Sequence, residues 1–327
     1  MALAVSVALC TRNGARFLSA QVQSICVQDL LPRQIVVSDD GSRDGSVAIV
    51  RQTMEQCGVA SIIDLTVFEN AQPLGVTRNF EQAVRACRSE LIALCDQDDV
   101  WHPGRLARMA RPFEARPGLL LLHSDARLVD AQLAPLGTTL FHALEVRPSE
   151  LAAIADGRAF DVLLRRNLVT GATTVFRRSL LASALPFPGE WVHDEWLAAI
   201  AAATGRMDVL PEALIDYRQH ASNQIGARRP SIAEKIAKAF APRGAKHVER
   251  MRRAQALLDR LQSRQGEVPE AHLQAQREKL NHQRFRAELP ARRMARVLPV
   301  LREAARGRYD RFGRGWHAIA QDLLERG

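Results

Sequence analysis

Short apolar runs and longer amphipathic runs alternate through the first 123 residues. The runs at 3–9, 34–38, 63–68, 91–95 and 119–123 have strand length, and between them, over 17–27, 46–57, 79–86 and 103–115, apolar positions recur at helical spacing. Repeated βαβ units of this kind predict an α/β fold whose mostly parallel mixed sheet is flanked by helices on both faces. Ligands of open sheets lie beyond the carboxyl ends of the strands, so the loops that follow the strands are where site residues belong.

From residue 228 onward the pattern reads as helices alone. Val248, Met251, Leu258 and Leu261 share one predicted face and Phe312, Trp316, Ile319 and Leu323 another, with Pro242, Pro269, Pro290 and Pro299 as punctuation. Charge changes at the same place. Residues 228–327 hold 24 Lys and Arg against 11 Asp and Glu, whereas residues 1–227 hold 21 against 25, so the net +9 of the chain belongs to its tail. A balance of that size is compatible with nucleic acid, but apolar faces carrying Phe312 and Trp316 suit an anionic bilayer surface. The same stripes equally fit packing on the rest of the chain or on a second subunit in a homo-oligomer.

Composition narrows the class. At 327 residues and 47% hydrophobic content the chain can bury a large core. Its five cysteines are scattered and form no CxxC pair, which points to free thiols in a reducing cytosol and away from zinc. The first ten residues lack a basic leader and read as a strand, and no apolar run approaches the ~20 residues that cross a bilayer. The expectation is a cytoplasmic protein, with the basic tail as its one route to the inner face of a membrane.

Chemistry concentrates after the fourth apolar run, where Asp96-Gln97-Asp98-Asp99 sets three carboxylates within four residues. Such a cluster repels itself unless a cation shares it, and hard oxygen donors select Mg2+ or Mn2+ together with substrate phosphates. The alternative is a solvated acidic turn ahead of the helix that starts near Pro103. The loops after the first two strands are Thr11-Arg12-Asn13-Gly14 and Asp39-Asp40-Gly41-Ser42-Arg43-Asp44-Gly45-Ser46. Asp44 or Ser46 is expected to cap the helix that follows, while Asp39 and Asp40 can accept the imide N–H of a uracil or thymine. Neither GxGxxG nor GxxxxGK[ST] occurs in these turns, which weighs against a dinucleotide enzyme and a P-loop nucleotidase.

The Val36 to Ser46 segment, followed by Asp96-Gln97-Asp98-Asp99-Val100-Trp101-His102-Pro103, resembles a family 2 glycosyltransferase with the Rossmann-like A-type nucleotide-sugar fold, over roughly residues 4–226. The resemblance implies a catalytic domain at 1–227, with a nucleotide-sugar half to about residue 124 and an acceptor half from 125, followed by a basic helical region at 228–327. It implies that Asp40 reads the base and that Thr11, Asn13 and Asp39 lie beside the nucleotide. Asp98 becomes the favoured ligand of Mg2+ or Mn2+, with Asp96 bound directly or through water. Many relatives have Tyr where this chain has Arg12, whose guanidinium can stack on a base or pair with a phosphate. Asp194, in Trp191-Val192-His193-Asp194-Glu195-Trp196, corresponds to the family's general base, with Glu195 as its rival. Tyr217-Arg218-Gln219-His220-Ala221-Ser222-Asn223 resembles the segment that closes over the diphosphate, so His220 is a candidate metal or phosphate ligand as well as a structural histidine. Arg78 is a candidate partner of the diphosphate or a surface residue. Gly171, in a segment resembling the acceptor-side strand, either lets a sugar approach or serves a tight strand crossing.

Together the Asp-Gln-Asp-Asp-x-Trp, His-Asp-x-Trp and Tyr-Arg-Gln-His motifs are most similar to bacterial rhamnosyltransferases that use dTDP-L-rhamnose. What this implies is an inverting, metal-dependent transfer from a nucleotide-sugar donor to a saccharide or lipid-linked saccharide in surface polysaccharide synthesis, without nucleic acid. Two other readings share features with it. A nucleotidyltransferase also uses carboxylate-bound Mg2+, and a basic scaffold would need the sheet only as a platform.

Overall fold

The computed structural model describes residues 3–220 and 245–325. Contacts within the chain gather these into two units, one of residues 3–157, 169–201 and 205–220, the other of residues 158–168, 202–204 and 245–325. The second unit thus takes in two short segments that precede the 228 boundary suggested by charge. Ala221, Ser222 and Asn223, the 227/228 boundary itself and Pro242 lie outside the described residues.

Among the described residues of the first unit, nine strands form one sheet: β1 (Val5–Thr11), β2 (Gln34–Asp39), β3 (Asp64–Glu69), β4 (Leu91–Cys95), β5 (Val100–Trp101), β6 (Leu119–Val129), β7 (Pro135–Thr139), β8 (Thr174–Arg177) and β9 (Arg206–Arg218). Their order is β3-β2-β1-β4-β8-β6-β9-β5, with β7 beside β6. Helices α1 (Ala15–Cys26), α2 (Ser46–Gln56), α3 (Val76–Ala86) and α4 (Arg105–Ala115) are the crossovers predicted from periodicity. After β7 come α5 (Leu140–Ala143), α6 (Pro148–Ala155), α7 (Ala159–Arg165), α8 (Leu181–Ala184) and α9 (His193–Thr204), α7 belonging to the second unit.

Every residue of β1, β2 and β4 is buried, as expected for apolar runs covered on both faces, whereas β3 at the edge is half-buried. These strands pair in parallel, and their register sets where each ends: Thr11 lies opposite Asp39, so β1 and β2 stop level, whereas Cys95 lies opposite Leu9, so β4 stops two residues short. Side chains of α1, α2 and α4 (Leu18, Val22, Ile25, Val50, Met54, Met109, Phe113) close the core over Leu9, Ile35, Val37 and Ala93. Beyond β4 the sheet turns mixed. β8 runs antiparallel to both β4 and β6, β9 is parallel to β6, and β5 returns antiparallel on β9, placing Trp101 opposite Ile215.

Two boundaries differ from the expectation. β6 continues six residues past 123 because its polar Ser124 and Asp125 are buried at bulges, where the pairing with β9 shifts. α4 begins at Arg105, with Pro103 and Gly104 just outside it.

In the second unit, α10 (Lys246–Gln262) packs on α11 (Glu270–Ala287), and α12 (Arg293–Ala305), α13 (Arg308–Phe312) and α14 (Trp316–Leu324) complete it. Ala254, Leu258 and Leu280 form one small core and Leu289, Val300, Tyr309 and Ala318 another. Of the first predicted stripe, Leu258 and Leu261 are buried but Val248 is exposed. The second stripe is not one helix face: Phe312 is buried in α13, Gly315 at φ 55° breaks the chain, and Trp316 at the start of α14 is exposed. Pro299 punctuates nothing, since α12 runs through it. Among the described residues no helix is long and apolar enough to cross a membrane.

Candidate active site

The ends of β1, β2 and β4 bring three loops side by side. Between the first two, hydrogen bonds form a lace. Asn13, at φ 50°, accepts from the Arg43 N–H through Oδ1 (3.0 Å) and donates its own N–H to Ser42 Oγ (2.8 Å). Gly14 N–H donates to Ser46 Oγ (3.0 Å) and Ala15 N–H to Asp44 Oδ2 (3.0 Å). Gly45 holds the N-cap position of α2 without a side-chain bond, but Asp44 Oδ1 accepts from the first N–H of that helix, Ser46 (3.2 Å), while Asp44 Oδ2 and Ser46 Oγ serve the unpaired N–H groups where α1 begins.

Asp39 and Asp40 are both buried and both engaged by the chain itself. Asp39 accepts from the N–H (2.9 Å) and the hydroxyl of Ser42, closing its own loop. Asp40 accepts from Leu74 N–H (2.5 Å) and Gly75 N–H (3.1 Å) ahead of α3. Each carboxylate oxygen keeps a second lone pair for a ligand. Thr11 hydroxyl donates to Gln97 Oε1 (2.8 Å), which also accepts from Arg12 N–H (2.8 Å). Gln97 is thus the connector of the first and third loops, a role invisible when it is read as the spacer between two acids. A Cβ on Gly14 would lie 2.4 Å from that amide oxygen, so only glycine admits it there.

The acids after β4 crowd one another. Asp96 has its carboxyl pushed up to about 8, first by burial and then by the charges of Asp98 and Asp194, and it has no hydrogen-bond partner among the described residues. Asp98 Oδ2 lies 2.8 Å from His220 Nε2. Asp99 is buried; Oδ1 accepts from Arg218 N–H (3.0 Å), Oδ2 is unpartnered, and burial followed by Asp98 and Asp96 raises its carboxyl well above the ordinary range. Two arginines that the sequence did not single out hold this loop. Arg218 donates through Nε to the Asp98 carbonyl (2.6 Å) and stands 4.6 Å over the Phe17 ring, on which His220 stacks at 4.7 Å. Arg105 is fully buried, lies 3.9 Å over the Trp101 ring and donates to the Ala172 carbonyl (2.7 Å), its charge acting on Asp99. A basic residue inside a helix otherwise read as amphipathic was the only available signal.

Asp194 sits in the first turn of α9, where the N-terminal end of the helix favours an ionised carboxylate. It accepts from Gly171 N–H through Oδ2 (2.7 Å) and from Glu195 N–H through Oδ1 (2.7 Å). Val192, not Asp194, holds the N-cap position. Its neighbour His193 is buried flat on Phe80, ring centroids 3.8 Å apart, and burial holds its pKa down. Gly171 lies in a short 3-10 turn before β8, and a Cβ there would fall 2.9 Å from His193 Nε2. The glycine serves the approach of a helix, not a strand crossing.

Thus Thr11, Asn13, Asp39 and Asp40 meet in the laced loops, and Asp96, Asp98 and His220 gather beyond β4 with Asp194 in electrostatic reach of Asp96. Arg78 stands apart, exposed on α3 and paired with Glu81 (3.3 Å). A divalent cation fits the acids: the donors are hard oxygens, and the Asp96 carboxyl, which has no hydrogen-bond partner among the described residues, is pushed up by burial and then by the charges of Asp98 and Asp194, which a cation would offset. Among the described residues, the set of three ligand-type side chains with atoms within 4.8 Å of one another lies elsewhere, at His247, Asp322 and Glu325. There the carboxylates already pair with Arg286 (2.7 Å) and Lys246, so that set is an ion-pair network.

The sequence profile of Glycosyl transferase family 2 matches residues 6–181, more than half of the chain. The chain belongs to that family. This family 2 glycosyltransferase is 27% identical over 243 residues to an uncharacterised glycosyltransferase of Nostoc sp., covering 72% of this chain and 71% of the relative. A second uncharacterised glycosyltransferase, YwdF of Bacillus subtilis, is 30% identical over 125 residues, 38% of this chain and 42% of the relative. Among solved structures, a mannosyltransferase from Pyrobaculum calidifontis in complex with GDP-Man and Mn2+ superposes with a TM-score of 0.51 at 20% identity, covering 99% of this chain and 86% of that one. Residues 1–349 of S. aureus TarS, in complex with UDP-GlcNAc, give 0.55 at 17% identity, with 98% and 91% covered. These likenesses confirm the A-type fold expected from the motifs.

Gly171→Ala is expected to cost about 1–3 kcal/mol of stability, as overpacking against a ring that cannot retreat from Phe80, and to depress turnover further by displacing Asp194. Urea unfolding and initial rates measure the two; an unchanged rate and unchanged midpoint would show that the turn relaxes freely.

Proposed function

We propose that this glycosyltransferase moves a hexosyl group, preferentially L-rhamnose from dTDP-L-rhamnose, to a hydroxyl of a saccharide or lipid-linked saccharide, with inversion at the anomeric carbon. The observation that carries the proposal is the meeting of Asp96, Asp98 and Asp194 in one electrostatic field at the strand ends. The rhamnosyl donor is supported by the three motifs read in the sequence. The nucleotide-sugar class is supported by the donors bound to the two solved proteins of this fold.

In the reaction, Asp194 removes the proton of the acceptor hydroxyl as its oxygen attacks the anomeric carbon from the face opposite the leaving group. The bond from that carbon to the diphosphate breaks, the nucleoside diphosphate departs with the electron pair, and the configuration inverts in one displacement. The hydrogen bond from Gly171 fixes the direction of the Asp194 carboxylate. Asp40, from its buried clamp, offers its remaining lone pairs to the base, and Thr11, at the end of β1, lies beside it, its carbonyl accepting from Asp40 N–H (2.8 Å). His220, 2.8 Å from Asp98, would hold a phosphate oxygen or a metal ion. Asp98 and Asp96 would hold Mg2+ or Mn2+, which supplies positive charge to the departing diphosphate when bound.

Asp98→Ala is expected to abolish metal-dependent transfer while leaving unfolding by urea essentially unchanged, since the substitution also removes like-charge repulsion; near wild-type turnover at limiting metal would end the assignment. Asp194→Asn should bind donor normally yet transfer about 100 to 10,000 times more slowly, the range for a missing general base. If Asp194→Asn turns over normally and Glu195→Gln does not, the base is Glu195. In a thermal-shift panel with Mn2+, dTDP-L-rhamnose should raise Tm more than UDP-N-acetylglucosamine, because tighter binding to the native state shifts unfolding further; the reverse order would transfer the donor assignment.

A further inference from the structure

Helix α12 is built inside out. Its buried positions include Arg296 and Glu303, while Met294 (86% exposed), Val297 (39%), Leu298 (56%) and Leu301 (54%) face water. Residues spaced three and four apart share one helix face, so these four form a continuous apolar stripe. The inward polar groups are not misplaced. Arg296 donates to the carbonyls of Pro290 (2.5 Å), Ala291 (2.6 Å) and Glu325 (2.8 Å), and Glu303 accepts from Arg308 (3.2 Å) and pairs with His282 (2.9 Å). Val300 adds the apolar contact to the small core. Helix α12 is therefore held down by ion pairs and carbonyl bonds, and its apolar side chains are left outward.

What that stripe meets is indicated by its borders. At 3.6 residues per turn, exposed Arg293 falls on one edge of the stripe and exposed Arg302 on the other, with exposed Arg292 and Arg306 at the two ends of the helix. Two copies facing each other through the stripe would bring these arginines together, whereas an apolar layer beneath a plane of anionic groups would neutralise them. We propose that the α12 face is a peripheral membrane-docking surface for an anionic lipid bilayer, with Met294, Val297, Leu298 and Leu301 entering the acyl boundary and the flanking arginines on the headgroups. This assigns lipid contact to α12, not to Phe312, which is buried.

The test is co-sedimentation of the full chain with vesicles of phosphatidylcholine plus phosphatidylglycerol and with vesicles of phosphatidylcholine alone. The wild type should pellet with the anionic vesicles, be released by high salt, and bind the neutral ones weakly. Leu298→Glu with Leu301→Glu should lower partitioning about a hundredfold from lost apolar burial, and Arg293→Gln with Arg302→Gln about tenfold or more. Undiminished binding by the leucine variant, or equal binding to neutral vesicles, would overturn the proposal. A marked fall in Tm of the leucine variant without lipid would instead show that a segment of this chain covers the stripe. Wild-type self-association in sedimentation velocity that the leucine variant loses would give the face to a second copy. Lipid binding is read here without any activity assay, so the result is separate from the sugar-transfer proposal.

Discussion

The register of three parallel strands that end at one end of the sheet is the constraint on which the site rests. Thr11 opposite Asp39 and Leu9 opposite Cys95 fix where the chain leaves the sheet, and hence which loops become neighbours. A slip of one residue in β4 would turn every side chain of that strand to the other face, taking Asp96 and Asp98 away from the loops they adjoin. The full burial of β1, β2 and β4 is what makes such a slip costly. The precision of the polar loops is therefore set by the apolar strands beneath them.

Electrostatics work against that arrangement and have to be contained. Asp96, Asp98, Asp99 and Asp194 converge with little water to separate their charges. Arg105, buried under the loop against Trp101, and Arg218, bonded to the Asp98 carbonyl and to Asp99, supply fixed positive charge without occupying the open side of the cluster. Unpartnered atoms remain on Asp99 and on Arg105 itself. A site that is incompletely neutralised by its own residues has an attraction for cations built into it.

The parallel half of the fold was legible because its strands are buried on both faces and so read as uninterrupted apolar runs. The crowding of the acids was legible because three carboxylates within four residues follow directly on a buried strand. Gln97, Arg105 and Arg218 were not. Their roles depend on which backbone carbonyl or N–H the fold places beside them, and neither spacing nor composition carries that information. Of the two residues expected to cap α2, Ser46 instead accepts from Gly14 N–H at the start of α1, and Asp44 divides its two oxygens between the starts of the two helices. In the tail, periodicity located helices but misjudged one face, because Gly315 breaks the chain between Phe312 and Trp316 and divides the second stripe between two helices.

The clamps on Asp39 and Asp40 have a consequence of their own. Both carboxylates are already bound by Ser42, Leu74 and Gly75, so the loops are organised by folding before any small molecule arrives. Little conformational entropy is then left to lose on association, and affinity for whatever enters depends on the contacts it makes and not on ordering a slack loop around it. Loops of this kind discriminate by shape at first encounter, and a ligand whose donors do not match the standing lone pairs gains nothing from waiting.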